Sequence, residues 1–391
     1  MRIFIVSHSS RRGGGVSVAR NLISAFGRVA PRHDYFLTIP PGIGFEECCG
    51  SLPNSTCVAY RHEGRWRRWL WETRELPKLV QRFQPDIVFN MANRGLVAPP
   101  GHQVTLLQDP HLFYPFSEFG KVGLVDRATF WYHRRHLRRS LQRTGSVFCQ
   151  TEVACDRVRQ VYGDSADTRL CPNCFSVYAR PTEEVVSPPS AIVACAAAFK
   201  LFVPTRYYPH KNLEVLPIVF ERHREELKDV AVLLTISPDE DSRARKLLKR
   251  VGDLRLGDNI VSVGPLSQQE LAAYYLHTDG LLLPTLLESF SGTYVEALAF
   301  GRPILTSNRD FARVVCGDSA EYFEPRDPDS IAAAIGRVRN DSEVRARMSV
   351  ARAEALQRLP QSWDEIASGV VARWEELTAG PGREAEVQER T

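Results

Sequence analysis

The sequence predicts an α/β protein made of two doubly wound, Rossmann-like domains, and three observations carry that prediction. Short apolar runs rich in β-branched residues alternate with amphipathic helical stretches, the pattern of parallel strands covered by helices. The alternation comes in two series, one in each half of the chain. Between them, "YARPTEEVVSPPSA" (178–191) combines proline with acidic residues and has the composition of an interdomain linker. A length of 391 residues allows two or three domains, and 43% apolar with 25% charged residues is ordinary for a globular protein.

The first series places strands near "RIFIVS" (2–7), "YFLTI" (35–39), "DIVFN" (86–90), "QVTLLQ" (103–108) and "GSVFCQ" (145–150), with helices near 16–27, 66–83 and 125–142. The second places strands near "FKLFVP" (199–204), "AVLLTI" (231–236), "IVSVG" (260–264), "GLLLP" (280–284), "RPILTS" (302–307) and "AEYFE" (320–324). "SWDEIASGVVARWEELTAG" (362–380) reads as an amphipathic helix with Ser362 as N-cap and Gly380 as its stop. The expected domains are therefore 1–180 and 190–362, followed by a helix at 363–380 and a frayed tail at 381–391.

Composition excludes several classes. No run of eighteen apolar residues exists and the first apolar stretch is only four residues long, so neither a membrane span nor a secretory signal fits. A cytoplasmic protein is expected. Nine cysteines, an odd number at irregular spacing, suit reduced core thiols, and "CPNC" (171–174) lacks the second ligand pair of a zinc site, so no metal is expected. The net charge of +4 is modest but unevenly placed. "RHEGRWRRWLWETRELPKLVQRF" (61–83) and "DRATFWYHRRHLRRSLQR" (126–143) concentrate arginine with aromatic residues. That composition suits a surface meeting anionic lipid headgroups, and equally a pair of solvated amphipathic helices. No recognition motif points to nucleic acid.

Open α/β sheets bind ligands at the carboxyl ends of their strands, so chemistry is expected on post-strand loops, with two such domains facing each other across a cleft. After the first strand, Gly13, Gly14 and Gly15 precede a helix from about Val16. Backbone N–H groups there can approach an anion at a positive helix end, although Val18 breaks the dinucleotide fingerprint and a plain glycine turn explains the same residues. After "VTLLQ", the residues Gln108, Asp109 and His111 stand at the strand's carboxyl edge, where each could touch a substrate hydroxyl. Alternatively, Asp109-Pro110 opens a turn and His111 packs with Phe113 and Tyr114.

In "FVPTRYYPHKNLEVL", Arg206 and Lys211 precede a helix with Asn212 as its expected N-cap. Helix starts favour acids, so two cations there point to an external anion, with the guanidinium able to bind phosphate through two hydrogen bonds. The acidic triplet 239–241 fits the first turn of a helix after Ser237 without a metal. In "GLLLPTLLESFSGTYVEALAFG" (280–301), Thr293 and Glu296 match a capping box, which accounts for Glu296 but not for Glu288 in an apolar loop. Carboxylates suit polyols through charge-assisted hydrogen bonds, so each acid could hold one sugar with phosphates on the two cations between them.

The E-x7-E spacing of Glu288 and Glu296, "PTLLESF" before it, "EALAFGRPI" after it and the upstream R-x4-K with "HKN" resemble the retaining glycosyltransferases of family four, which have the GT-B fold. The early glycine loop, "CPNCF", "VGPLSQQELAAYY" and a tryptophan-containing terminal helix extend the resemblance over nearly the whole chain. The resemblance implies that the terminal helix crosses back to the first domain. It implies that Glu296 binds the ribose of a nucleotide diphosphate sugar, that Glu288 contacts the transferred sugar, and that Arg206 and Lys211 neutralise the diphosphate. Amides around Gly14, Gly15, Ser291, Gly292 and Thr293 would assist, with the base near Gly264 and Leu266. Which of Gln108, Asp109 and His111 takes the place of the family's acceptor-side histidine stays open. Ser291 stands where the family usually has glycine, a departure at the donor-sugar pocket.

The expected activity is transfer of a sugar with retention to an acceptor hydroxyl, in assembly of a bacterial surface polysaccharide or glycolipid. Partners would be the nucleotide sugar, a sugar or lipid-linked acceptor and the anionic inner face of the membrane, with no cofactor. Rivals are a nucleotide-sugar epimerase, a phosphorylase, and a non-catalytic nucleotide-sugar binding protein.

Overall fold

A computed structural model describes residues 1–11, 13–61, 64–120, 122–163, 167–174 and 187–379. Residues 178–186 of the expected linker, Gly380 and the expected tail at 381–391 lie outside them. The chain forms two compact units, one of Met1–Phe113, Leu124–Cys174 and the part from Pro360 on, the other of Tyr114–Gly123 and Phe175–Leu359.

The first unit is built on seven strands, β1 (Arg2–Val6), β2 (Asp34–Ile39), β3 (Ser55–Ala59), β4 (Ile87–Asn90), β5 (His102–Leu107), β6 (Ser146–Cys149) and β7 (Asp167–Leu170). All pair in parallel in the order β3-β2-β1-β4-β5-β6-β7, with Ile5 in register with Leu37 on one side and Phe89 on the other. The chain reverses its direction of winding between β1 and β4, which makes that edge the sheet's switch point. The two outermost strands, β3 and β7, were not expected. Each lies at an edge and keeps polar residues exposed, so neither shows the continuous apolar run of a strand covered on both faces.

The helix expected over 66–83 is three segments, Arg65–Leu70, a π-helical turn Trp71–Glu75, and Leu76–Phe83. The C-terminal helix Trp363–Ala379 packs on the first unit's helix Gly14–Val29. Its Trp374 is fully buried, with ring centroids 4.8 Å from Phe26 and 5.3 Å from Phe89, and Arg28 pairs with Asp364. Ser362 caps this helix as expected, its Oγ accepting from Glu365 N.

The second unit carries β8 (Phe199–Val203), β9 (Val230–Leu234), β10 (Ile260–Ser262), β11 (Gly280–Leu283), β12 (Ile304–Ser307) and β13 (Ala320–Phe323). The order β10-β9-β8-β11-β12-β13 repeats the winding of the first sheet, so the switch point falls between β8 and β11. One face of this sheet is covered by a cluster of buried aliphatic and aromatic side chains that includes Leu201, Val203, Phe220, Val232, Leu282 and Leu305. The segment Tyr114–Gly123 is held here by Tyr114 Oη donating to Asp310 Oδ1 at 2.9 Å and by Arg326 donating to the carbonyls of Ser117 and Phe119. Among the described residues no helix is long and apolar enough to cross a membrane.

Candidate functional site

The loops after β8 and β11 meet at the switch point of the second sheet. The chain leaves β8 through a 3-10 turn, Pro209–Lys211, and then places Asn212 in the left-handed region at φ 55°. Asn212 is therefore not the N-cap expected of it. The next helix, Val215–Arg222, starts after Glu214, and the amide of Asn212 donates instead to the carbonyls of Pro284 (3.1 Å) and Pro325 (2.7 Å). Asparagine tolerates this conformation, and here its side chain ties the β8 loop to the ends of β11 and β13. Thr285 Oγ1 and Leu286 N both donate to the carbonyl of His210, closing the two loops together.

That closure brings Lys211 Nζ onto Glu288 Oε1 as an ion pair. The Lys211 side chain is 15% exposed and that of Glu288 10%, and Thr285 Oγ1, whose single proton is shared with the carbonyl of His210, lies 3.2 Å from the same carboxylate oxygen. Two residues 77 apart in sequence are thus joined in one buried charge pair. Arg206, by contrast, turns to Glu240: its guanidinium donates to Oε1 at 2.6 Å, while Oε2 accepts from Tyr207 N. The triplet 239–241 is accordingly not a helical first turn. The helix begins at Ser242 with Asp241 as its N-cap, accepting from Arg243 N, and this leaves Glu240 available for Arg206.

Glu296 lies one turn inside the helix Gly292–Ala299, whose N-cap is Ser291 without a side-chain cap bond. The expected capping box with Thr293 does not form. Thr293 instead shares a hydrogen bond of 2.7 Å with Ser291 Oγ. Tyr275 Oη donates to Glu296 Oε2 at 2.9 Å. Burial pushes the Glu296 carboxyl up to about 7, and the Tyr275 hydrogen bond only partly opposes it. A side chain built at Gly264 or Gly292 would meet nothing within 4 Å, so both border open space, and Leu266 is half-buried.

In the first unit, Gly13 (φ 64°) caps the helix that opens with Gly14 and Gly15. A Cβ on Gly15 would lie 3.8 Å from Gln108 Oε1, so the glycine loop and the loop after β5 adjoin. The backbone N–H groups of Gln108 and Asp109 both donate to Asn93 Oδ1. Asp109 caps the 3-10 turn Pro110–Leu112 and accepts from His111 N (3.1 Å) and from His111 Nδ1 (2.8 Å). Burial opposes its charge, yet the bonds from His111 outweigh that and hold the carboxyl below the usual range. The His111 ring stacks on Phe130, with centroids 4.3 Å apart.

Sequence reasoning missed Glu240 and Tyr275. The first could have been found by noting that β9 neighbours β8, so that an acid after β9 stands beside Arg206. The second closes the stretch "VGPLSQQELAAYY" (263–275), where nothing in the sequence marks it as a partner of Glu296.

Residues 198–354 match the family model described as glycosyl transferases group 1. Over 175 residues the chain is 30% identical to the MMP α-(1→4)-mannosyltransferase of Mycolicibacterium hassiacum, covering 44% of this chain and 41% of the relative. It is 24% identical over 261 residues to the O-antigen chain mannosyltransferase RfbU of Salmonella typhimurium, covering 64% of this chain and 67% of the relative. It therefore spans less than half of the first relative and about two thirds of the second. HepE of Anabaena, solved with UDP-glucose, superposes with a TM-score of 0.73 at 17% identity, over 96% of this chain and 100% of that one. Two parallel sheets of the same winding and this likeness give the chain the GT-B fold, and the family match falls on the segment that carries Arg206, Lys211, Glu288 and Glu296.

Proposed function

We propose that the chain is a retaining glycosyltransferase that moves a sugar from a nucleotide diphosphate sugar to an acceptor hydroxyl. The observation that carries this reading is the buried Lys211–Glu288 pair at the switch point of the second sheet, inside the segment matched by the family model. Similarity to two mannosyltransferases and to a structure solved with UDP-glucose supports it.

The diphosphate would replace Glu288 on Lys211 and Glu240 on Arg206, two cations acting on the charge that develops on the leaving group. Glu288, released from its cation, would accept hydroxyls of the transferred sugar, and Glu296 those of the ribose. Amides of Ser291, Gly292 and Thr293 would add donors, with the base near Gly264 and Leu266. No metal is required in this scheme. Same-face attack, with the leaving phosphate taking the acceptor proton, would account for retention.

The acceptor would be lipid-linked and met at the anionic inner face of the membrane, in assembly of a surface polysaccharide or glycolipid. Exposed Trp66 (70%), Trp131 (60%) and Leu124 (84%) beside the basic helices of the first unit support that placement. A thermal-shift screen of nucleotide sugars tests the reading, since a ligand at about 100 times its dissociation constant adds about 2.7 kcal/mol. A panel that shifts nothing, together with no released nucleotide in the presence of acceptors, defeats it.

A further inference from the structure

The switch point of the first sheet holds a cavity of about 250 Å³. It lies between the π-helical turn Trp71–Glu75 and its flanking helices, the loop after β4, and the helix Leu124–Leu141. Its walls are mostly apolar: Val6, Leu76, Pro77, Ala92, Leu96 and Val97. Two of its lining residues are joined by a hydrogen bond of 2.8 Å from Trp69 Nε1 to Tyr132 Oη. A cavity of about 150 Å³ with apolar walls is known to hold benzene, so this one has room for a fused bicyclic ring or a short alkyl chain.

One wall is polar and fully organised. Glu72 Oε1 accepts from Arg68 Nε at 2.7 Å and lies 3.1 Å from His8 Nε2, and Oε2 accepts from Arg94 at 2.9 Å. A carboxylate only accepts, so His8 carries its proton on Nε2 and accepts at Nδ1 from Thr38 Oγ1. Burial works against the charge on Glu72, but the hydrogen bond from His8 and the guanidinium groups of Arg94 and Arg68 hold the carboxyl well below the usual range. Oε2 receives one bond among the described residues and keeps a lone-pair position for a hydroxyl. The polar wall and the glycine loop share one stretch of chain, since His8 lies five residues before Gly13. π-helical turns recur at functional sites, and here the turn carries Glu72 and Thr73 to the lining.

We propose that this cavity binds one apolar group bearing a hydroxyl, a fused aromatic or short alkyl moiety, and that it is the apolar part of the acceptor. The acceptor assignment rests on the glycosyl-transfer reading above; the binding site itself does not. 2-Naphthol is the probe, titrated calorimetrically into the full chain, with octan-1-ol as competitor. One naphthol binds per chain, and octan-1-ol displaces it. Ala98→Trp and Thr73→Trp, exposed lining positions on two different segments, each weaken binding at least tenfold with unchanged circular dichroism. Trp66→Ser with Trp131→Ser, outside the lining, leaves it within twofold. Absence of saturable naphthol binding, or loss in the surface tryptophan variant but not in the two filled ones, overturns the site.

The acceptor assignment has its own arm. With a donor that turns over, naphthyl and octyl glycosides show KM at least tenfold below the methyl glycoside, and Ala98→Trp removes the difference. Equal KM values overturn the acceptor role while leaving the site standing. Naphthol binding without transfer to any acceptor defeats the glycosyl-transfer reading, and the acceptor role falls with it.

Discussion

Replacing Lys211 by alanine is expected to destabilise the second unit as well as slow the reaction. Glu288 would keep its burial and lose the one cation that pairs with it among the described residues, with the Thr285 hydroxyl 3.2 Å away as its remaining neighbour. Both side chains of the pair are at most 15% exposed, so water screens little of the loss. Breaking such a pair costs about 3–5 kcal/mol. At roughly 2–4 °C per kcal/mol for a unit of this size, Tm falls by about 6–20 °C. Adding Glu288→Gln to Lys211→Ala replaces the stranded charge with a neutral amide, whose incomplete pairing costs about 1–3 kcal/mol, so the double variant is more stable than the single one. Differential scanning calorimetry and urea unfolding of the four proteins in the cycle measure this. A Lys211→Ala protein within 1 kcal/mol of wild type, or a double variant no more stable than it, refutes the stranded-charge reasoning.

Arg206→Ala separates chemistry from stability. The Arg206 side chain is 49% exposed, so the Glu240 pair contributes under about 1 kcal/mol, whereas turnover falls about 10²–10³-fold if the guanidinium serves the leaving diphosphate; a normal rate removes that role. Glu296 has a carboxyl raised to about 7 by burial, above its usual value, so it adds stability below the unfolded value that is lost as pH rises through about 7. Binding of a nucleotide to its carboxylate strengthens over the same interval, and Glu296→Gln flattens the dependence in calorimetry from pH 5 to 8; an unchanged slope excludes Glu296 as its source. Vesicle flotation with anionic lipids tests the basic helices. Arg68, Arg134 and Arg138 are committed to Glu72 and to the carbonyls of His111 and Val161, so the exposed Arg135 and Arg139 are the residues to change to Ser. Equal flotation of wild type and variant removes the membrane contact.

How far the sequence revealed the fold depended on whether a strand was covered on both faces. The inner strands of the second sheet are short, largely apolar runs and were recognisable as such, and its edge strands "IVS" and "AEYF" keep enough apolar residues to be read as well. β3 and β7 were not, because an edge strand such as "DTRL" needs no apolar face to hold its place. At the site, charge was legible and partnership was not. Two cations before a helix marked the loop after β8, yet only the folded chain pairs Lys211 with Glu288 and Arg206 with Glu240. Local motifs misled where tertiary contacts won. Thr293 and Glu296 match a capping box in sequence, but Tyr275 takes the carboxylate. Asn212 reads as a cap, but its amide serves two carbonyls from distant strands.

The position of Trp374 in the chain sets an order of events during synthesis. Its indole fills the space between Phe26 and Phe89, yet it leaves the ribosome only after every residue of the second unit has been made. The later-encoded unit can reach its native state first, while the earlier one waits with a gap in its interior. A nascent chain stalled before Pro360 should therefore protect the second sheet from protease and leave the first open to cleavage.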